Sequence, residues 1–251
     1  MRGLTRGLTL RHLRLASGQV MWVYIAWHFV NHSLGLISLP AAEGGLRIAA
    51  AVWQSWPGTV ILYGAFATHL VLALTGLHQR HTLLLPPLEV MRIVFGLTIP
   101  LLLFGHVVST RIAYSWYGEA AQYQRVVASL SRDGATGWQL ALLAPGWLHG
   151  CMGLNVAFRH RGWYQRWRAW LIGAVIALPL LAALGYWSMI GEVAALQLTA
   201  PTRVTISAAQ RASLGELRGN LLAGYFGLLA LVLASRSWRD WRNWRSARRT
   251  S

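Results

Sequence analysis

The chain has 251 residues, 55% of them apolar and only 12% charged, with a mean hydropathy of +0.41. So little charge cannot clothe a soluble domain of this size, and apolar stretches of about 20 residues, each long enough to cross a hydrocarbon core of roughly 30 Å, recur along it. A second folded domain or a soluble catalytic unit within these residues is excluded, because the spans leave only short loops.

Six transmembrane helices are predicted, over residues 17–38, 56–77, 88–110, 137–158, 169–190 and 217–235, in an all-α membrane protein that forms a single domain over 1–251. The leading segment, Met1 to Ser17, carries Arg2, Arg6, Arg11 and Arg14 but no A-x-A-like cleavage site, so the first apolar run is read as a retained helix. Six crossings place both termini on one side. All 23 basic residues are arginine. Sixteen of them, including Arg14, Arg80, Arg92, Arg159 and Arg236, fall on one set of flanks, giving +14 there against +2 on the other once acidic residues are counted. By the positive-inside rule both termini are cytoplasmic, and the loops 39–55, 111–136 and 191–216 face the periplasm of a bacterial inner membrane. Within the second of these, 119–132 has a helical pattern.

The charge of +16 would suggest nucleic acid in a soluble protein, but here topology accounts for it and no nucleic-acid partner is expected. The tail 236–251 interleaves Trp238, Trp241 and Trp244 with arginines directly after a span, as expected of a segment lying on anionic lipid. The lone cysteine, Cys151, can form neither a disulfide framework nor a thiolate metal site within one chain, and is read as a small core residue.

Five of the nine histidines, His28, His32, His69, His106 and His149, lie inside predicted spans, where an ionisable group is a functional candidate by default. The first four spans each supply one, with His28 and His32 alternatives on span one. His28 lies fourteen residues from Arg14 and His106 fourteen from Arg92; His69 lies eleven from Arg80 and His149 ten from Arg159. Spans one and three, and spans two and four, are diagonal partners in a sequential up-and-down bundle. The expected pairs are therefore His28/His106 and His69/His149, at levels about 5 Å apart if the arginines mark the headgroups, with His28/His106 nearer the periplasm. His32, with a count of eighteen, is read as a hydrogen-bond partner rather than a ligand.

Small residues beside the histidines (Gly64, Ala65, Ala67, Gly76, Gly105, Gly146, Gly150, Gly153) would make room for a macrocycle, although they also serve ordinary helix packing in membranes. Two axial imidazoles fill a haem iron and leave electron transfer or redox sensing as its chemistry, whereas zinc or copper would want further ligands. Two haem b groups are thus the expected cofactors. Arg111 and Tyr114 on one face, and His78, Arg80, His81 and His160 on the other, are candidate propionate partners. His12 joins the latter three histidines as residues of the cytoplasmic boundary.

The stretches Ile25-Ala-Trp-His28-Phe-Val-Asn31, Ala67-Thr-His69, Gly105-His106-Val-Val-Ser-Thr-Arg111 and His149-Gly-Cys-Met-Gly153 resemble the dihaem cytochrome b membrane anchors of succinate:quinone oxidoreductases. The likeness covers about residues 17–160. It implies haem between helices one and three and between helices two and four, and a quinone or quinol partner, for which Asn31, His32, Arg111 and Tyr114 are the candidate contacts and Trp27 an aromatic wall. The six-span layout, with two further spans over 169–235, is most similar to the amino-terminal anchor of bacterial class III adenylate cyclases. That resemblance implies a redox-sensing anchor acting on a cytoplasmic catalytic domain or subunit, fused or associated beyond the tail, with a second copy of the chain as an admissible partner. The chain itself ends at Ser251 without a cyclase domain or iron-sulfur cysteines. An electron-carrying subunit of a respiratory complex is the alternative. A small transporter using the histidines as a proton relay is a third reading, from another class.

Overall fold

The computed structural model describes residues 2–80, 82, 84–118, 122–130, 135–199 and 206–248. Helices are the only regular structure among them: α1 (Arg2–Ser33), α2 (Leu39–Trp53), α3 (Trp56–Gln79), α4 (Pro87–Val107), α5 (Ala113–Tyr117), α6 (Tyr123–Leu130), α7 (Ala135–Phe158), α8 (Gly162–Thr199) and α9 (Ala208–Ala247). A 3-10 turn, Leu34–Leu36, follows α1, and a π-helical stretch, Val108–Ile112, joins α4 to α5.

Helix starts follow local chemistry. Ser38 accepts from the Ala41 N–H at 3.2 Å with Pro40 in the first turn of α2, and Ser55 accepts from the Gly58 N–H at 3.1 Å with Pro57 in the first turn of α3. Ser207 and Gln210 form a reciprocal capping box at the start of α9. The π stretch has a cause too: the Ser109 hydroxyl donates to the Gly105 carbonyl at 2.7 Å and the Thr110 hydroxyl to the His106 carbonyl at 2.6 Å, taking up backbone acceptors of the last turn of α4.

Five helical segments are long and apolar enough to cross a membrane: Trp56–Gln79, Pro87–Tyr117, Thr136–Phe158, Gly162–Leu196 and Ala208–Ala247. They make this a multi-pass membrane protein. Ile61, Val71, Ile176, Leu184 and Leu231 are each more than half exposed on their outer surfaces, an apolar exterior suited to lipid. The first predicted span does not reach the same apolarity, and its helix stops at Ser33 rather than Ser38. The reason is its placement. α1 lies against α3, α7 and α8, so it presents Ser17, His28, Asn31 and His32 to neighbouring helices.

The expected loop 39–55 is instead the helix α2, and within the helical pattern of 119–132 residues 123–130 form α6, while 119–121 and 131–132 lie outside the described residues. The third loop is shortened from both sides, since α8 runs on to Thr199 and α9 begins at Ala208. α2, α6 and the far end of α8 pack together through Leu39, Ala42, Tyr123, Val127, Ala128, Tyr186, Met189 and Val193. Two carboxylates fasten this cap: Glu192 of α8 accepts from the Leu39 N–H at 2.6 Å, and Glu43 of α2 accepts from the Gln124 N–H at 3.1 Å. Each sits at a helix N-terminus, where unpaired N–H groups favour negative charge.

Within the bundle, α3 packs along α1 and α9, and α4 packs along α7 and α9. α9 thus sits on both α3 and α4. Its C-terminal half closes the C-terminus of α3. Arg236 Nε donates to the Arg80 carbonyl at 3.0 Å, Arg239 donates to the His78 and Arg80 carbonyls, and Ser235 Oγ lies 3.1 Å from His78 Nδ1. Those carbonyls have no partner further along α3, so guanidinium groups from the neighbouring helix take their place.

Candidate functional site

The bundle interior holds two pairs of imidazoles. The rings of His28 (α1) and His106 (α4) are 5.9 Å apart between centroids, and those of His69 (α3) and His149 (α7) are 6.1 Å apart; both pairs are nearly perpendicular. In each pair the two histidines come from helices diagonal across the bundle.

The lower pair, His69 and His149, is held by main chain. His69 Nδ1 lies 3.2 Å from the Arg14 carbonyl and 3.3 Å from Ser17 Oγ, while Ser17 Oγ itself donates to that carbonyl at 3.1 Å. His149 Nδ1 donates to the Arg92 carbonyl at 2.9 Å. A proton held at Nδ1 leaves Nε2 with its lone pair, the form in which imidazole binds a metal.

These contacts put His69 level with Arg14 on α1 and His149 level with Arg92 on α4, and glycines complete the fit. A Cβ at Gly18 would come 3.2 Å from His69 Cε1, and one at Gly96 would come 2.7 Å from His149 Cε1. Gly18 stands ten residues before His28, and Gly96 ten residues before His106. At about 1.5 Å per residue the two pairs are therefore separated by about 15 Å along α1 and α4, not by the 5 Å that arginine counting gave. The counting failed because the arginines mark no common plane. Arg14 is drawn into the bundle, where its guanidinium donates to the Leu72 carbonyl at 3.3 Å and rests on Gly76.

The upper pair is held by side chains. His106 Nδ1 donates to Gln139 Oε1 of α7 at 2.9 Å. His28 Nε2 lies 3.0 Å from His32 Nε2, so His32 is bonded to His28, and Tyr24 stacks on the His28 ring at 5.9 Å. Asn31 Nδ2 donates to Tyr123 Oη at 2.7 Å, and His32 Nδ1 lies 3.4 Å from the same hydroxyl. Burial of the start of α6 against α2 and α8 pushes ionisation of the Tyr123 hydroxyl far above its ordinary range, so it stays a neutral group. Asn31 Oδ1 and Tyr186 Oη are buried there without hydrogen-bond partners, and the Tyr186 ring is 5.8 Å from that of His32.

Arg111 and Tyr114 make no hydrogen bond to Asn31, His32 or Tyr123. Arg111 donates to Thr59 Oγ1 of α3 at 3.1 Å, and its guanidinium lies 5.7 Å from the centre of the Tyr114 ring. Trp27 is edge-on to Trp53 of α2. Of the other boundary residues, His78 and Arg80 are bound up with α9, His160 accepts from Arg159 Nε at 3.0 Å, and His81 lies outside the described residues. The glycines singled out from the sequence are not those set against the rings: Gly64 and Gly153 face open space, Gly76 faces Arg14, Gly105 faces Arg218, Gly146 faces Ile25 and Gly150 faces Trp22. Cys151 is a half-buried free thiol beside the Phe29 and Trp147 core.

Comparison with protein-family models, with curated proteins and with solved structures finds no match to this chain. No group of three or more His, Cys, Asp or Glu with the geometry to hold a metal ion occurs among the described residues. What the chain presents is two facing imidazole pairs, each reached from opposite helices.

Ser17, Gly18, Gly96, Tyr123 and Gln139 are site residues that the sequence reading did not pick out. A signal for the glycines was present, since Gly18/His28 and Gly96/His106 share the same ten-residue spacing in the two helices that carry the upper pair.

Proposed function

We propose that this chain is a dihaem b membrane protein that exchanges electrons with the quinol pool, with His28/His106 and His69/His149 as the axial pairs, and that it serves as a redox-sensing anchor for a cytoplasmic output. The reading is supported chiefly by ring spacing. Two imidazoles on opposite sides of one metal atom, with bonds of about 2.0 Å and about 1.1 Å from nitrogen to ring centre, have centroids about 6.2 Å apart. The observed 5.9 and 6.1 Å suit that arrangement. Anchored Nδ1 atoms on His69, His106 and His149 add to it, since ligating histidines ordinarily donate their second N–H to a carbonyl or similar acceptor.

Haem, when bound, supplies a one-electron couple and leaves the iron without an open position. The chain's own residues would orient the imidazoles, keep water out and hold polar atoms beside the upper pair. At that pair the His28–His32 bond would have to give way for His28 Nε2 to ligate. Tyr186 Oη and Asn31 Oδ1 are buried without partners near His32, and we assign the first as donor to a quinone carbonyl and the second as acceptor for a quinol hydroxyl, in preference to Arg111 and Tyr114. α1 is taken as a sixth crossing, which puts both termini in the cytoplasm of a bacterial inner membrane and the arginine-tryptophan end of α9 on its inner leaflet.

The test is a dithionite-reduced minus oxidised spectrum of the detergent-purified protein, with its haem-to-chain ratio, for the parent, His69→Ala and His106→Ala. About two haems per chain, one lost in each variant, is the expected result for two bis-histidine centres. A colourless protein after expression with ample haem would sink it. The chain would then pass to the proton-relay reading, which the hydrogen-bonded run His28–His32–Tyr123 favours. Co-purification with a flavoprotein and an iron-sulfur protein would instead assign it to a respiratory complex.

A further inference from the structure

Each of the four ligand-bearing helices contributes to both levels of the bundle, through residues ten apart: Gly18 and His28 on α1, Thr59 and His69 on α3, Gly96 and His106 on α4, Gln139 and His149 on α7. At one level the helices that do not supply ligands yield glycine and a backbone carbonyl. At the other they yield Thr59, which receives Arg111, and Gln139, which receives His106.

This asymmetry has a chemical consequence. His69 and His149 both lie on main-chain carbonyls, of Arg14 and Arg92, that no substitution can alter. His106 depends on an amide side chain from a different helix. We infer that Gln139 is the positioning residue of the upper centre: by accepting the His106 Nδ1 proton it fixes which ring nitrogen faces His28, and it sets how much electron density that ring gives to iron. The inference rests on the haem reading above.

The direction of the effect follows from the acceptor's charge. A carboxylate at 139 would draw the Nδ1 proton more strongly, make the ring more imidazolate-like and favour ferric iron. An alkyl group would leave the N–H unpaired, lower the ring's donor strength and favour ferrous iron. Outer-shell partners of this kind change ligand basicity without touching the metal.

The experiment is a potentiometric titration of the full chain in detergent, following the reduced haem absorption, for the parent, Gln139→Leu and Gln139→Glu. Two components are expected in the parent. One of them should move up in Gln139→Leu and down in Gln139→Glu, each by about tenfold in the one-electron equilibrium constant, or about 59 mV, while the other stays in place. Loss of one haem from Gln139→Leu with its retention in Gln139→Glu would support the assignment equally, because the acceptor is what the second variant restores. A parent with two haems whose components are unmoved by either substitution, or both moved alike, would overturn the role of Gln139 alone. Loss of the same haem from both variants would also overturn it. A colourless parent would overturn the haem reading and the inference with it.

Discussion

The imidazole of His149 rests on Gly96 of α4, where a Cβ would come 2.7 Å from Cε1 and 3.0 Å from Nδ1. The same edge of the ring is also tied down, because Nδ1 is bonded to the Arg92 carbonyl one turn earlier on the same helix. Gly96→Ala should therefore force the ring or the helix to move, costing about 1–3 kcal/mol and weakening whatever the lower pair binds. Gly64→Ala, with open space around it, should change stability by less than about 0.5 kcal/mol. Thermal unfolding of the two purified variants checks this, and equal midpoints would count against the packing.

Tyr123 ties α6 to Asn31 of α1 through a buried bond of 2.7 Å. Tyr123→Phe should cost about 1–3 kcal/mol, since it strands a buried amide. The parent should also show an alkaline signature. Burial raises the folded-state pKa of this phenol above the ordinary value of 10.0, so its contribution to stability is complete below pH 10 and declines above it, where only the unfolded chain ionises. Comparing denaturation of parent and Tyr123→Phe at pH 8 and pH 11 should find the gap between them smaller at the higher pH. A gap that widens would show the sign to be wrong.

Arg239 donates to the carbonyls of both His78 and Arg80, and Arg236 shares the second. Truncating Arg239 to alanine should leave the C-terminal carbonyls of α3 short of donors and loosen the α3–α9 contact, at a cost of about 1–3 kcal/mol. Limited proteolysis offers a local readout: cleavage within residues 80–86 should speed up in Arg239→Ala and be restored by Arg239→Lys only in part, because an ammonium cannot reach two carbonyls as a planar guanidinium does. Unchanged cleavage rates would mean that the junction is held by apolar contacts.

If α1 crosses the membrane, Arg11 and Arg47 lie on opposite sides of it. Single cysteines placed at each, in a Cys151→Ser background, should react with a membrane-impermeant maleimide from opposite faces of inner-membrane vesicles. A cysteine at Arg166 should report with Arg11. Labelling of positions 11 and 47 from one face would leave five crossings and remove the common side for the two termini.

Much of this architecture was legible in the sequence because a hydrocarbon solvent imposes a simple rule: long apolar runs become helices that satisfy their own backbone. The five spans from Trp56 onward, and the placing of His69, His106 and His149 inside them, follow from that rule alone. α2 escaped the same reading because its capping serine and proline sit in a segment too short to span, and its role is to cover the bundle's end.

Depth, neighbours and anchoring were decided only in three dimensions. Arginine counting assumed that every guanidinium stays at the headgroups, but Arg14 finds the Leu72 carbonyl inside the bundle, and the separation of the two pairs grew from about 5 to about 15 Å. The wedge of α9 between α3 and α4, the seating of His149 on Gly96 and the reach of Gln139 to His106 join residues of different helices. Periodicity along one helix says which face is polar, but not which helix comes to meet it. That choice belongs to the packing of the whole bundle, where a glycine or an amide matters only through what lies across from it.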